Sequence, residues 1–216
     1  MTAAVFVDCQ KDFLKGGKLG FAYPEADNFG KVLGFAKHCV KHGWKAYATR
    51  DTHEATKFNS AGGVESGYLA TLEGMKLPVE HCVELTDGWM LDDRLMAILD
   101  GKCTLINKPT FGSFDLAEVI AEDYKANYDH KPLRIYVCGY CSSICILANS
   151  VILRAKFPDA DIVVLSEACG DVSKETHMAA MKVLNMQQIR VLVVDDPFAT
   201  DEEKAVLESM KGEAAA

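Results

Sequence analysis

The sequence predicts a single doubly wound α/β domain, in which a six-stranded, mostly parallel sheet carries helices on both faces. Six short apolar runs are nearly continuous, without the alternation of half-exposed strands, which is typical of strands covered on both faces. Helical patterns lie between these runs, as the connections between parallel strands require. Neither an internal repeat nor a linker interrupts the sequence, so one domain is expected over residues 1–216.

The strands are expected where Val, Ile, Leu, Tyr and Cys dominate a short run. The first of these runs reads AAVFVD and the last reads IRVLVVD. In chain order, the runs predict strands at residues 3–8, 44–50, 103–108, 133–139, 161–167 and 189–195.

The helices are expected between the strands, at residues 25–42, 91–100, 114–127, 143–156, 174–186 and 200–211. His42-Gly43 ends the first helix, and Ser173 is a good N-cap for the fifth. Residues 51–90 hold few periodic segments and many Gly, Glu and Thr. Because a long loop in a compact domain is usually functional, and this one follows a strand's carboxyl end, we expect it to contribute to a ligand site.

The composition narrows the class of protein. A formal net charge of −8 argues against a nucleic-acid partner or an anionic membrane surface. The N-terminus lacks the features of a signal peptide, and no apolar stretch is long enough to span a bilayer. The eight cysteines are scattered and mostly lie inside apolar runs, which indicates reduced core thiols and a cytoplasmic protein.

Polar residues follow the strands at their carboxyl ends, which meet at one edge of a parallel sheet. Asp8 ends the first strand, Lys108 ends the third, and Cys145 lies in the first turn of the helix after the fourth. The helix N-terminus favours a thiolate at Cys145, Asp8 can act as general base, and Lys108 can stabilise anionic forms. Backbone N–H groups at Cys141 and Cys145 are candidates for an oxyanion hole.

The spacing C-x2-C-x3-C in VCGYCSSICILANS also allows other interpretations. Cys138 and Cys141 form a C-x2-C pair of the kind found in redox and zinc sites. A redox pair lies together at the start of a helix, whereas Cys138 belongs to the predicted strand, and no second C-x2-C completes a four-ligand zinc site. A single reactive thiol at Cys145 is the favoured interpretation.

Five motifs, in order, resemble the isochorismatase-like cysteine hydrolases, the superfamily that includes nicotinamidases and related amidases. They are VDCQKDF, TRDTH, LPVEHC, INKPTFGSF and the spacing from Gly139 to Cys145, and the resemblance spans residues 3–195. It implies a catalytic triad of Asp8, Lys108 and Cys145, and a cis peptide bond before Cys141. The family pattern G-x-x-T-D-x-C-V reads G-Y-C-S-S-I-C-I here, so Ser143 stands in place of the Asp.

The resemblance also implies a divalent metal beside the triad, with Zn, Mn and Fe as candidates. Asp51, His53 and His81 match three of the family's ligands. The second His of the family pattern is absent from HEATKFNS, and Glu73 is the expected substitute. In this role the metal would bind and orient the substrate rather than activate the nucleophile.

The substrate-covering residues depart from the family pattern as well. The Trp of the W-P-x-H-C motif, which stacks on a pyridine ring in nicotinamidases, is replaced by Leu77. We therefore expect Phe13, Phe111 and Phe114 to cover the substrate together with Leu77.

These observations predict a cysteine-dependent amidohydrolase that releases ammonia from a small carboxamide, with conversion of nicotinamide to nicotinate as the default reaction. Another small amide or a ureide, such as biuret or an N-carbamoyl compound, is the main alternative substrate. Hydrolysis of isochorismate needs an acid rather than a thiol, and a non-catalytic binding protein would not need the triad. The resemblance further implies a homo-oligomer.

Overall fold

Eight strands and seven α-helices make up the computed structural model, which describes residues 1–24, 28–58, 63–127 and 131–211. In chain order they are β1 (Thr2–Val7), α1 (Phe29–Lys41), β2 (Lys45–Asp51), β3 (Ala55–Phe58), β4 (Val64–Ser66), α2 (Leu72–Lys76), α3 (Asp93–Leu99), β5 (Cys103–Lys108), α4 (Phe114–Ala126), β6 (Arg134–Tyr140), α5 (Leu147–Lys156), β7 (Asp161–Gly170), α6 (Lys174–Met186), β8 (Arg190–Leu192) and α7 (Asp201–Ser209).

Six of the strands form one sheet in the order β5-β2-β1-β6-β7-β8, and every neighbouring pair is parallel. Helices α1, α3 and α7 pack together, while α4, α5 and α6 form a second layer. The predicted doubly wound α/β fold is therefore confirmed. The apolar runs are continuous because the central strands are covered on both sides: residues 3–7 of β1 have no exposed surface.

The element boundaries differ from the prediction where local chemistry competes with the apolar pattern. The first helix begins at Phe29 rather than at residue 25, and residues 25–27 lie outside the described part of the chain. A π-helical turn, Ser142–Ile146, precedes α5. The last strand ends at Leu192, before Asp195 adopts a left-handed conformation with φ 66°.

Residues 51–90, predicted as a long loop, contain more regular structure than expected. Strands β3 and β4 pair antiparallel as a separate two-stranded sheet, and a 3₁₀ turn, Tyr68–Ala70, leads into α2. The strands escaped prediction because they are short and lack an apolar run, with sequences ATKF and VES.

The winding of the sheet decides where a ligand can bind. From β1 the chain adds β2 and β5 on one side, then crosses to β6 and adds β7 and β8 on the other. The crevice at the carboxyl ends of β1 and β6 is therefore a topological switch point, which is the usual ligand site of an open parallel sheet. No helix among the described residues combines the length and apolar character needed to cross a membrane.

Candidate active site and adjoining metal-ligand cluster

The carboxyl ends of β1, β5 and β6 bring together the three side chains predicted as a catalytic triad. Lys108 Nζ lies 2.7 Å from Asp8 Oδ2 and 3.5 Å from Cys145 Sγ. Asp8 and Lys108 have no exposed surface, and Cys145 is buried as well. Lys108 therefore contacts both Asp8 and Cys145 in a site shielded from bulk water.

The protonation states of these groups depend on one another. Burial raises the pKa of Asp8, and the charge of Lys108 opposes that rise. Burial acts to lower the pKa of Lys108, but the negative charges of Asp8, Cys145 and Asp51 outweigh it and raise that pKa. The raised pKa therefore favours the charged form of Lys108.

The thiol of Cys145 differs from the sequence-based expectation of a lowered pKa. Burial raises its pKa well above the ordinary value, although Lys108 acts in the opposite direction. The expectation was wrong because desolvation of the thiolate outweighs the favourable position near a helix start. A thiol with a raised pKa needs a base before it can act as a nucleophile, and Asp8 is the base that the sequence predicts.

Asp8 is held by its neighbour on β2. Thr49 Oγ1 donates a hydrogen bond to Asp8 Oδ1 at 2.7 Å and accepts one from the Asp8 N–H at 3.1 Å. Asp8 itself has a φ of 48°, a left-handed conformation that Asp tolerates better than bulky residues do. These contacts turn the carboxylate toward Lys108 as the chain leaves β1.

Cys145 is carried by the nucleophile turn, which we define as residues 141–146. The peptide bond Tyr140–Cys141 is cis, as the family resemblance predicted. The side-chain amide of Asn149 donates a hydrogen bond to the carbonyl oxygen of Cys145 at 2.8 Å. All eight cysteines are free, and Cys138 is fully buried within β6, so the pair Cys138 and Cys141 forms no disulfide.

The four predicted metal ligands meet beside the triad. One ligand atom from each of Asp51, His53, Glu73 and His81 lies within 4.8 Å of the other three. Asp51 Oδ2 is 3.3 Å from Nε2 of both histidines, and Glu73 Oε1 is 4.0 Å and 3.9 Å from the same nitrogens. Two ligands that are each about 2.1 Å from one ion lie about 3 to 4 Å apart, so these distances suit a bound cation.

Hydrogen bonds around the cluster favour metal binding. His81 Nδ1 lies 2.7 Å from the carbonyl oxygen of Val79, which can only accept, so Nδ1 donates to it and Nε2 is the ring nitrogen that faces the cluster. His53 Nε2 is buried without a hydrogen-bond partner among the described residues. Gln10 fixes Asp51 by bonding to its backbone N–H and C=O, at 2.7 Å and 2.8 Å. The residues present therefore fit a divalent cation, with oxygen and imidazole donors.

A cavity of about 470 Å³ opens onto both groups of residues. Its lining includes Cys145 and Cys141 from the nucleophile turn, and three of the four residues expected to cover the substrate: Phe13, Leu77 and Phe111. Phe114 is not brought to the cavity. As the first residue of α4 it is 78% exposed, because the helix start turns its side chain to solvent.

The sequence interpretation missed an aromatic residue of the cavity wall. Phe21 lies in the strap, which we define as residues 14–23, and its ring stacks on Phe13 at 5.5 Å and on Tyr140 at 5.9 Å between centroids. No periodic pattern marks the strap in the sequence, so only the chain path shows that Phe21 faces the site.

Comparisons with known proteins identify the family of the chain. A family model described as the isochorismatase domain matches residues 2–196. Among solved structures, a pyrazinamidase of Pyrococcus horikoshii in complex with zinc is 21% identical, with a TM-score of 0.65 over 89% of this chain and 98% of that one. A comparison with curated protein sequences found no match.

Two further structures share the fold. A nicotinamidase/pyrazinamidase from Bacillus subtilis is 19% identical, with a TM-score of 0.70 over 88% of this chain and 98% of that one. The yeast nicotinamidase bound to the inhibitor nicotinaldehyde is 16% identical, with a TM-score of 0.66 over 89% of this chain and 100% of that one. Because the family model spans most of the chain and these structures share its six-stranded parallel sheet, the chain belongs to the isochorismatase family of hydrolases.

Proposed function

We propose that this chain is a cysteine-dependent amidohydrolase that releases ammonia from a small carboxamide. One observation carries the proposal: Lys108 contacts both Asp8 and Cys145, and the three buried side chains lie beside a cavity large enough for a small molecule. A nucleophile, a base within reach of its proton and a cation beside both are the parts that acyl transfer from an amide requires.

In the first half of the reaction, Cys145 Sγ attacks the carboxamide carbon while Asp8 accepts the thiol proton. The ammonium of Lys108, 3.5 Å from the sulfur, stabilises the thiolate as it forms. Asp8 then gives the proton to the amide nitrogen, the C–N bond breaks, and ammonia leaves. The acyl group remains bound to Cys145 as a thioester.

In the second half, a water molecule adds to the thioester carbon and Asp8 accepts its proton. The C–S bond breaks, the sulfur takes back that proton from Asp8, and the carboxylic acid is released. The net change is one amide and one water converted to one acid and one ammonia. Backbone N–H groups of Cys141 and Cys145 are assigned to the oxyanion of both tetrahedral intermediates.

A divalent cation is assigned to the cluster of Asp51, His53, Glu73 and His81. When ionised, Asp8, Asp51 and Glu73 carry three negative charges and Lys108 supplies one positive charge, so a divalent ion would balance the site. Such an ion supplies a Lewis-acid contact that orients the substrate. Zn, Mn and Fe all suit these donors, and the zinc complex of the P. horikoshii pyrazinamidase favours zinc.

Nicotinamide is the default substrate. The cavity presents the rings of Phe13, Phe21 and Phe111, which suit a flat aromatic amide, and the B. subtilis and yeast relatives are nicotinamidases. The absence of the stacking Trp, with Leu77 in its place, favours a second candidate class, a small amide or ureide such as biuret or an N-carbamoyl compound. We also propose that the enzyme acts in the cytoplasm as a homo-oligomer.

Ammonia release tests this proposal across a panel of nicotinamide, pyrazinamide, aliphatic amides, biuret and N-carbamoyl amino acids. Each compound is assayed with the protein after dialysis against a chelator and after loading with Zn²⁺, Mn²⁺ or Fe²⁺. We expect release from at least one carboxamide, abolished in Cys145→Ala. No release from any compound, or release that survives in Cys145→Ala, would refute the proposed mechanism. Hydrolysis of isochorismate without ammonia release would favour the other reaction of the superfamily.

A further inference from the structure

Asp171 is a fully buried carboxylate to which the proposed reaction assigns no role. It follows β7 and precedes α6, and it lies against the nucleophile turn. Burying an ionised carboxylate is costly unless it is paired or accepts many hydrogen bonds. Among the described residues no Lys, Arg or His forms an ion pair with Asp171, so hydrogen bonds must supply the compensation.

The nucleophile turn provides three of these hydrogen bonds. Ser143 donates twice, from its N–H to Asp171 Oδ2 at 2.9 Å and from its hydroxyl to Oδ1 at 2.9 Å. The Cys141 thiol donates to Oδ1 at 3.0 Å. Cys141 and Ser143, four and two positions before Cys145, are thus both bound to one carboxylate.

Other parts of the fold hold the same residue. The N–H of Val172 donates to Oδ1 at 2.7 Å, and the hydroxyl of Thr176 in the first turn of α6 donates at 3.1 Å. The backbone of Asp171 exchanges two hydrogen bonds with Tyr23 at the end of the strap, at 3.0 Å and 2.8 Å. Asp171 therefore connects the nucleophile turn, the start of α6 and the strap that lines the cavity.

The contacts of Asp171 also give different environments to the two thiols that line the cavity. Cys141 and Cys145 both line it, yet Cys145 contacts Lys108 whereas Cys141 donates to Asp171. Burial, together with the hydrogen bond to Asp171, raises the pKa of Cys141 to about 12. Cys141 is therefore held as a neutral donor, committed to Asp171 and unavailable for attack.

We propose that Asp171 is the positioning residue of the nucleophile turn: its carboxylate fixes the turn so that Cys145 faces Asp8 and Lys108, and it keeps Cys141 unreactive. The kinetic part of this inference rests on the proposed amidase function. The part that concerns thiol reactivity does not, because it follows from the contacts of the two cysteines alone.

Asp171→Asn tests the inference because it keeps the shape of the side chain and one of its two acceptor oxygens. The other oxygen is replaced by an NH2 group, which cannot accept the hydrogen bonds that this oxygen receives from its donors. We expect kcat to fall about 100-fold with KM little changed, as when a reacting group is displaced by about 1 Å. Alkylation of Cys145 by iodoacetamide, followed residue by residue with mass spectrometry, should slow, and alkylation of Cys141 should become faster.

Thr176→Ala is the matched control. It removes one hydrogen bond to Asp171 Oδ1 from the side of α6 and leaves those from the nucleophile turn in place. It should lower Tm yet leave both alkylation rates and kcat unchanged.

Wild-type alkylation rates at both cysteines in folded Asp171→Asn would overturn the inference. If that variant does not fold, Ser143→Ala decides, since it removes one donor to the carboxylate: we expect Cys145 alkylation to slow about tenfold, and an unchanged rate would refute the positioning role. Absence of amidase activity in the wild-type enzyme would refute the proposed function alone, because the alkylation measurements need no substrate.

Discussion

Two groups of charged side chains lie side by side at the carboxyl edge of the sheet, and they are neutralised in different ways. The triad contains its own cation: Lys108 is buried between Asp8 and Cys145. The metal-ligand cluster surrounds two carboxylates, Asp51 and Glu73, with imidazoles that offer lone pairs. Of its two acids, Asp51 alone reaches Lys108, at 3.5 Å. The first group carries its own positive charge, whereas the second has the donors and the negative charge that suit a divalent cation.

Burial alone does not define a reactive group. Both groups are buried except for the partly buried Glu73, and burial is the largest influence on the pKa of Asp8, of Cys145 and of Glu73, raising each of them. The two groups differ in the neighbouring side chains that compensate for the burial of their acidic groups. A lysine beside the thiol supports an anionic nucleophile, while imidazole lone pairs beside carboxylates support a Lewis acid.

Removal of the nucleophile should have the largest effect. Cys145→Ala should reduce amide hydrolysis by at least about a thousandfold, because no other group can form the acyl intermediate. Cys103→Ala is the control, since Cys103 begins β5 at the opposite edge of the sheet. The rate of ammonia release from the best substrate measures both variants. A similar loss in the two would show that the thiol at position 145 has no special role.

Removal of the buried cation Lys108 should destabilise the fold more than removal of a lysine at the surface. Lys108→Met leaves buried carboxylates without their cation and should lower the free energy of unfolding by about 3 to 5 kcal/mol. Lys45→Met breaks the surface pair with Asp123, 3.6 Å apart and 47% exposed on the lysine side, and should cost less than about 1 kcal/mol. Urea denaturation of both variants measures the difference. Equal losses would mean that Lys108 does not hold the triad together.

Glu73→Gln tests the second group and should leave the first intact. The change keeps the shape of the side chain but removes a negative charge and a good metal donor, so zinc affinity should fall by at least about tenfold. Glu54→Gln, an exposed residue next to His53, is the matched control. Metal content after dialysis and titration calorimetry with Zn²⁺ give the affinities, and Cys145 alkylation should not change. Unaltered zinc binding in Glu73→Gln would remove this residue from the cluster.

The smallest expected effect is a pH dependence of stability that comes from His177, next to the nucleophile turn. His177 lies within hydrogen-bonding distance of Ser142 and Ser166, and burial lowers its pKa from the ordinary value of 6.5. A lowered pKa means that the unfolded chain binds the proton more tightly than the folded chain does. The contribution of neutral His177 to the free energy of unfolding is therefore present above pH 6.5 and is lost as the pH falls below 6.5. The slope contributed is at most about 1.4 kcal/mol per pH unit.

Denaturation at a series of pH values compares the wild-type enzyme with His177→Gln. The free energy of unfolding of the wild-type enzyme should fall more steeply below pH 6.5 than that of the variant. Parallel curves would show that His177 does not contribute the acid sensitivity.

The sequence allowed the fold and the triad to be predicted because both follow from the same pattern. Each triad member ends a strand or follows one, and parallel strands share one carboxyl edge, so Asp8, Lys108 and Cys145 had to lie near one another. The cluster could be proposed only through the family resemblance, since His81 and Glu73 lie in a segment without regular periodicity.

Other parts of the site could not be predicted, because they depend on contacts between distant segments. Asp171 meets Ser143 across 28 positions of sequence, and Thr49 meets Asp8 across 41. No local pattern encodes such a pair. The wrong expectation of a lowered pKa at Cys145 has the same origin, since burial depends on the packing of the whole domain.

Trapping the acyl-enzyme tests the central claim most directly. The zinc-loaded enzyme is quenched with acid during turnover of its best carboxamide, digested, and analysed by mass spectrometry for each cysteine-containing peptide. We expect an added acyl group on Cys145, absent from Cys141 and from all peptides of Cys145→Ala. Steady ammonia release without any acylated cysteine, or acylation of Cys141 instead, would contradict it.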